Sequence, residues 1–325
     1  MLAVRPASTI ARRSIIVLHV AAVAIVLGCA GPNGESTQSE SVHSSAAAAV
    51  SPDSSPTASA SSTALTSTKT VKMVSFNVLW GGDPQFDGYL HPWQVPIFAG
   101  HSRLAAIIDV LNRFEADIIG VEEAAGWDKG DPSTAEQVAK ALDMKYWYIP
   151  QNSSLLKVAL FSKYPISQRE DLTTIIGGPG ALHATIVLPD GSALDVVVAH
   201  LNATSQKIRS CQMRELLRLS TPLLQNQAVL IGDFNSVPGS DEVLAADSAG
   251  WDLIAADWPY YIDQIWASPS VGLAGSTWGL DIAVPSGVSD HDPVSAEVTF
   301  RQGVTAGTSG PILLLTGATD LCGSR

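Results

Sequence analysis

Cysteine is scarce, with three in 325 residues, too few for a disulfide framework. Charge is scarce as well, at 15% of residues, and it leans negative: 19 Lys and Arg against 31 Asp and Glu, a net of −12. An acidic chain is a poor generic polyanion binder, because nucleic-acid affinity ordinarily comes from a basic face. A local basic patch or a bound cation reverses that sign locally. A single apolar run comes near membrane length, which excludes a multi-span membrane protein. No G-X-Y period accompanies the 26 Gly and 19 Pro, which excludes a collagen-like fibre. What the chain has in quantity is apolar mass. Its 46% hydrophobic residues suffice for a sizeable core and exclude disorder of the whole chain.

The one long apolar run lies at the start. Arg5, Arg12 and Arg13 precede the stretch Ser14 to Gly28, about 15 residues against the roughly 20 that span a bilayer. Residues 1–30 therefore read as an export segment. Val26-Leu27-Gly28-Cys29-Ala30 resembles the lipobox of bacterial lipoproteins. The expectation is lipidation at Cys29, giving a membrane-anchored or secreted protein, with plain cleavage or an uncleaved anchor as the alternatives. Residues 31–70 are mostly Ser, Thr, Ala, Pro and Gly, cannot bury enough surface to offset their ordering entropy, and read as a disordered linker. The globular unit is expected over 71–300, with a tail of unassigned role over 301–325.

Within that unit, β-rich runs alternate with helical patterns. Val71–Phe76 alternates as a strand. Leu104, Ile107, Ile108, Leu111 and Phe114 share one helical face, and Asp117–Val121 follows as a buried strand. Ser133-Thr134-Ala135-Glu136 is a capping box opening a helix through Leu142. Further strands are expected at Tyr146–Ile149, Val158–Ser162, Leu182–Leu188, Leu194–Ala199, Ala228–Gly232, Ile262–Ala267, Gly279–Val284 and Val294–Phe300, with a helix over Ser205–Leu219. Hairpins coexist with helical crossovers, so an all-parallel sheet is excluded. The reading is an α+β fold in which two mixed sheets pack face to face with helices outside.

The polar residues gather at strand ends: Asn77; Glu122 and Glu123; His200 and Asn202; Asp233 and Asn235; Asp263; Asp290 and His291. Carboxylates and amide oxygens converging there suit a hard cation, Mg²⁺, Mn²⁺ or Ca²⁺. Zinc is disfavoured, since no Cys/His cluster has ligand spacing. Histidines beside such a cation supply acid–base groups near neutral pH, a combination suited to phosphoester hydrolysis.

The set FNVLW, IIGVEE, AHLN, GDFNS, IDQI and SDHDP, in this order, resembles the endonuclease/exonuclease/phosphatase superfamily over about Val71 to Phe300. That resemblance implies a deoxyribonuclease I-like, four-layer α/β/β/α sandwich. It implies Asn77, Glu123 and Asp290 as metal-side residues and His200 as a donor to a non-bridging phosphate oxygen. It implies Asp233 and Asn235 as orienters of water and phosphate, and Asp263 as the group that fixes the imidazole of the general base, His291. Glu122 stands where the family carries Gln, and its role stays open. Lys157 stands where pancreatic-type nucleases carry a Glu that supports the second His.

The implied activity is a metal-dependent phosphodiesterase or nuclease, acting as a monomer on nucleic acid. The alternatives are a phospholipid, sphingomyelinase-like, or phosphomonoester hydrolase, and a catalytically silent binding module. The loops Trp80–Gly100, Ala124–Pro132 and Pro238–Pro259 should set the substrate. They hold no Lys/Arg cluster, which favours a small phosphodiester, a short single strand or a lipid headgroup over a long duplex. Arg209 and Gln212 read as structural. His183 reads equally as half-buried packing or substrate contact. Cys211 and Cys322 are either paired or free.

Overall fold

Strand β1 (Thr70–Asn77) shows in miniature how the molecule is built, because both of its faces are buried. Val71 and Met73 point into one apolar cluster, Val74 and Phe76 into another. Such a strand must sit inside a sheet that is covered on both sides. The computed structural model describes residues 70–82, 103–151, 157–172, 180–257, 259–276, 284–285 and 287–300.

After β1 come helix α1 (Arg103–Asn112), β2 (Ile118–Glu122), α2 (Thr134–Ala141), β3 (Tyr146–Tyr148) and β4 (Ala159–Ser162). The second half runs β5 (Ile166–Asp171), β6 (Gly180–Val187), β7 (Ala193–His200), α3 (Gln206–Ser220), β8 (Ala228–Asp233), α4 (Asp241–Ala249), β9 (Asp252–Ala256) and β10 (Asp263–Ala267). β11 (Val271–Ser276) and β12 (Val294–Phe300) return to the first sheet.

Two six-stranded sheets result, ordered β11-β12-β1-β2-β4-β3 and β5-β6-β7-β8-β10-β9. Each has one parallel pair at its centre, β1 with β2 and β7 with β8, joined through α1 and α3 respectively; the other pairs are antiparallel. One apolar cluster lies between the sheets, and the other two lie under α1 and α2 and under α3 and α4. The expected four-layer α/β/β/α sandwich of two mixed sheets is the observed fold.

Serine hydroxyls start three helices. Ser133, Ser205 and Ser240 each accept from the backbone N–H three residues on, satisfying a donor that the first turn leaves free. Gly250, in the left-handed region at φ 100°, closes α4, where a side chain would be strained.

Four elements were not expected from sequence: β5, α4, β9 and β11. β5 (ISQRED) is a mostly exposed edge with no apolar alternation to read. α4 buries only Glu242, Val243 and Ala246. β11 (VGLAGS) carries two glycines, which sequence reasoning takes as loop. The strand expected at Gly279–Val284 falls on residues outside the described ones up to 283, and Val284 lies in no strand. The part of the expected Trp80–Gly100 loop from Asp83 on, residues 1–69 and the tail 301–325 likewise lie outside the described residues.

Candidate active site

The inter-sheet core ends in polar residues. Along β1 the side chains facing the other sheet are Val71, Met73, Ser75 and then Asn77. On β7 the same series ends in His200, on β8 in Asp233, and on β10 it begins with Asp263. Period-2 alternation thus carries four polar side chains to the rim of the sandwich, above its apolar filling. Register brings them level, since His200 lies opposite Asp233 and Asp233 opposite Asp263.

Gly232 permits that approach. A Cβ there would stand 1.9 Å from the carbonyl oxygen of Ala199, a separation no side chain tolerates, so β7 and β8 draw together only around glycine.

Asp233 is the hub. Its Oδ2 accepts from Asn77 Nδ2 at 3.0 Å and lies 3.4 Å from His200 Nε2 and 3.9 Å from His291 Nε2. Its Oδ1 accepts from the backbone N–H of Asn235 at 2.8 Å. Asn77 Nδ2 also reaches Glu123 Oε1 at 3.3 Å, and His200 Nε2 lies 3.9 Å from that oxygen. His291 Nδ1 meets Asp263 Oδ2 at 2.6 Å. The pairing assigns Nδ1 as the donor to the carboxylate and leaves Nε2 facing the cleft. Asp290 stands at the rim, half exposed, with Oδ1 3.9 Å from His291 Nε2. Asn235 Nδ2 donates to Leu201 O at 3.0 Å, tying the loop after His200 to the loop after Asp233. Of the eight residues expected at the site, Asn77, Glu123, His200, Asp233, Asp263 and His291 therefore meet directly, Asn235 turns its amide to Leu201 O, and Asp290 reaches the set through His291 at 3.9 Å.

The backbone around them is strained. Leu79, Trp80, Glu123, Asn235 and Tyr261 have φ between 47° and 64°, a region that costs most side chains on the order of 1–3 kcal/mol. Each lies within three residues of a site side chain. At Glu123 the turn out of β2 swings this carboxylate into the cleft while its neighbour stays in the core.

That neighbour, Glu122, is fully buried and accepts from Ser75 Oγ at 3.0 Å. Burial, then the charges of Asp263 and Asp233, push its carboxyl well above the ordinary range, against the pull of Ser75 and His291. It lies beneath the site, biased by burial towards its neutral form. Burial also lifts Asp263, and Asp233 and Asp257 add to that against His291. For His291, burial alone would lower the imidazole; Asp263, helped by Asp233 and Asp290, outweighs it. The two shifts have one meaning: the pair keeps a shared proton to a higher pH than either partner would alone. Asp257, raised to about 6 by burial, accepts from the Asp263 N–H and positions that strand end.

The donor set fits a hard divalent cation. Glu123 Oε2 is buried without a hydrogen-bond partner among the described residues, a costly condition that a cation would relieve. Asp233, Asp263 and His291 also place ligand atoms within 4.8 Å of one another. Asp263, however, is engaged by the imidazole, so Glu123, whose Oε2 has no partner among the described residues, is the better candidate to hold the ion. Asn77, whose Nδ2 faces Glu123 and Asp233 while Oδ1 accepts from Leu79 N–H, borders that place, and Asp290 stands at the rim.

Several positions resolve otherwise than as cleft residues. Asn202 Oδ1 accepts from the N–H groups of Thr204 and Ser205, a turn at the start of α3. Arg209 donates to the carbonyl oxygens of Asn202 and Ala203, and Gln212 Oε1 accepts from Asn202 N–H, so both clamp the His200 loop, as a structural reading expects. His183 is buried against Asp195 at 3.0 Å on the helix-covered face of the second sheet. Lys157 is buried, paired with Asp128 at 3.2 Å and donating to Pro150 O. His200 Nδ1 has no hydrogen-bond partner among the described residues, so no described carboxylate takes the place of the Glu of the pancreatic-type arrangement. Cys211 is disulfide-bonded, and its partner lies outside the described residues.

Sequence reasoning missed Arg103 and Ser289. Arg103, fully buried, donates to Val288 O and Leu79 O, pinning the loop before Asp290 to the loop after β1. Its place on the apolar face of α1, four residues before Ile107, was the available signal. Ser289 Oγ donates to Asn77 O and accepts from His291 N–H.

A model of the Endonuclease/Exonuclease/phosphatase family matches residues 74–291. No curated protein matches the chain. Among solved structures, the human Nocturnin catalytic domain with bound sulfate anion is similar at 18% identity, covering 71% of this chain and 95% of that one, with a TM-score of 0.55. An endonuclease/exonuclease/phosphatase from Bacteroides vulgatus is similar at 17% identity, over 72% of this chain and 100% of that one, TM-score 0.55. ANGEL2, a 2′,3′-cyclic phosphatase in complex with adenosine-2′,3′-vanadate, is similar at 14% identity over 72% and 96%, TM-score 0.56. At these identities the likeness is one of fold.

Proposed function

Since the chain belongs to the endonuclease/exonuclease/phosphatase family, a family of phosphoester hydrolases, we propose that it is an exported, divalent-cation-dependent phosphodiesterase acting on nucleic acid. The observation that carries this reading is the single cluster in which Asp233 meets Asn77, His200 and His291 while Asp263 holds the His291 imidazole.

Each residue has work that its geometry supports. His291 Nε2, facing the cleft while Nδ1–H is donated to Asp263, takes the proton of the attacking water. Asp233 and Asn235 orient that water and the phosphate for in-line attack on phosphorus. His200 Nε2 donates to a non-bridging oxygen as charge grows there. Glu123, with Asn77 and Asp290 beside it, would hold the cation, with Mg²⁺ the first choice and Mn²⁺ or Ca²⁺ the alternatives. Bound there, it would neutralise phosphate oxygens and lower the pKa of water.

Export rests on the basic and apolar start of the chain and on Cys29, with a lipid anchor at Cys29 as the membrane attachment of a monomer. The disulfide at Cys211 agrees with an oxidising compartment. A mass spectrum of the mature protein with an unmodified Cys29 would remove the anchor.

Activity is tested with bis-p-nitrophenyl phosphate, RNA, plasmid DNA and sphingomyelin, each in Mg²⁺ and in EDTA. Cation-dependent cleavage of the diester and of nucleic acid is expected. Cleavage of sphingomyelin alone would move the assignment to lipid. No turnover of any substrate would leave a silent binding module.

A further inference from the structure

The two sheets share an open border at which β3 ends one and β5 ends the other. Between these edge strands lies a cleft of about 500 Å³, lined among others by Lys145, Tyr146, Tyr148, Gln151, Ile166 and Arg169. That is within the usual volume of a ligand site. We infer that this cleft is a second binding site, one that takes a short single-stranded nucleic-acid segment and leads it to the catalytic centre. The inference rests on the phosphodiesterase reading and deepens it by naming the polymer.

Register decides what the cleft presents. Tyr148 lies opposite Leu160 and Arg169 opposite Ala184, and both of those partners face the inter-sheet core. Tyr148 and Arg169 therefore point to the mouth of the sandwich. Glu170 lies opposite His183 and turns to the other face. Asp171 shares the mouth, but one of its oxygens accepts from the Tyr148 hydroxyl and the other from the Gln151 N–H at 2.9 Å. Burial and Asp171 together keep the Tyr148 phenol protonated, so both Asp171 oxygens are engaged by internal donors while its charge stays at the mouth.

What remains accessible is cationic and aromatic. Lys145, Tyr146 and Arg169 are exposed, and neither Lys145 nor Arg169 forms an ion pair among the described residues. The Arg169 guanidinium lies 5.8 Å from the centroid of the Tyr148 ring, close enough for a cation–π contact that holds it in place. Two cations beside tyrosine rings, Arg169 held over Tyr148 and Lys145 next to Tyr146, run against the net charge of −12. Rings that stack bases and cations that meet phosphates are the pairing that single strands require. Two cations in a cleft between strand edges give no track for a duplex.

The upper end of the cleft adjoins the catalytic end. On one wall, Pro150 O accepts from Lys157 Nζ at 3.1 Å, and Lys157 O accepts at 2.8 Å from the N–H of Ala124, the residue after Glu123. On the other, Leu172 N–H donates to Ala181 O at 3.0 Å, beside Gly180, which lies opposite His200. The cleft end at Pro150 and Leu172 is thus tied to the segments that carry Glu123 and His200, and a strand resting on Tyr146 would have that end nearest the catalytic centre.

The test compares the wild type with the double variant Lys145→Ala, Tyr146→Ala and with Arg169→Ala, using a fluorescein-labelled single-stranded 12-mer and bis-p-nitrophenyl phosphate. For each variant, KM for the 12-mer should rise about tenfold, from loss of stacking and of a phosphate contact, with kcat unchanged. The constants for the small diester should stay at wild-type values. An unchanged KM for the 12-mer overturns the inference, and so does an equal loss on both substrates, which marks a structural role. Anisotropy of the 12-mer in EDTA separates the two claims. If the wild type hydrolyses neither substrate, the phosphodiesterase reading fails. The cleft stands if the wild type still binds the strand and the variants do not, and falls if binding is absent or unaltered. Variants that lose binding to phosphatidylglycerol vesicles while keeping 12-mer binding would also overturn it, in favour of a membrane surface.

Discussion

His291 has one nitrogen committed to Asp263 at 2.6 Å and the other open to the cleft, the arrangement of a base whose tautomer is fixed by its partner. Replacing it with alanine should lower kcat by at least about 10² in a steady-state assay of the diester; near-wild-type turnover would remove it from the mechanism. In the metal-free protein its imidazole, followed by NMR, should titrate above the ordinary 6.5 because the charge of Asp263 outweighs burial. Asp263→Asn should bring it down, and a wild-type midpoint at or below 6.5 would contradict the pairing. Glu122 gives the opposite kind of test, since it touches no cleft atom. Its folded-state pKa is raised, so between the ordinary carboxyl value and the raised one the folded chain binds a proton that the unfolded chain lacks. Stability is therefore lost as pH rises through that window. Glu122→Gln removes this loss, and its thermal midpoint should exceed that of the wild type by about 3 °C or more at pH 7, with the gap closing towards pH 4.5. A gap that does not change with pH would show that Glu122 is charged in the fold.

The strand ends are the elements on which the site depends, and Gly232 is the position where an element can be tested alone. Gly232→Ala puts a Cβ 1.9 Å from Ala199 O. Forcing β7 and β8 apart should cost about 3 kcal/mol or more, a fall in midpoint of about 6–12 °C; calorimetry showing no loss would mean that the strands do not lie this close. Elements with strong patterns were legible from sequence. β1, β2, β7 and β8 are apolar runs ending in polar residues, and those endings disclosed the site. Those with weak patterns were not. β5 is an exposed polar edge and α4 has almost no apolar stripe, so tertiary pairing rather than local preference decides them. The same limit hid Arg103 and Ser289, whose partners are backbone carbonyls on other loops, contacts that no spacing within one segment announces. Lys157 was visible as a departure, but only the fold shows its charge directed at Asp128 and the His200 Nδ1 without a partner among the described residues.

At the scale of the whole molecule, two sheets related by similar strand–helix–strand cores bring residues as far apart as Asn77 and His291 to one rim, and an acidic protein concentrates its polar chemistry there. A buried carboxylate oxygen on Glu123 without a hydrogen-bond partner among the described residues, close to the His200 imidazole, is unfavourable as it stands, a condition the proposed cation would relieve and one that sets the rim apart from a self-satisfied structural network. The central claim is that this cluster directs water onto phosphorus. It is tested most directly by hydrolysing bis-p-nitrophenyl phosphate with the wild-type protein and Mg²⁺ in ¹⁸O-labelled water, with EDTA and Asp233→Asn as controls. The account predicts label in the phosphate product, none in the released p-nitrophenol, and turnover abolished in both controls. Label in the phenol, or turnover that survives EDTA and the loss of the Asp233 charge, would contradict it.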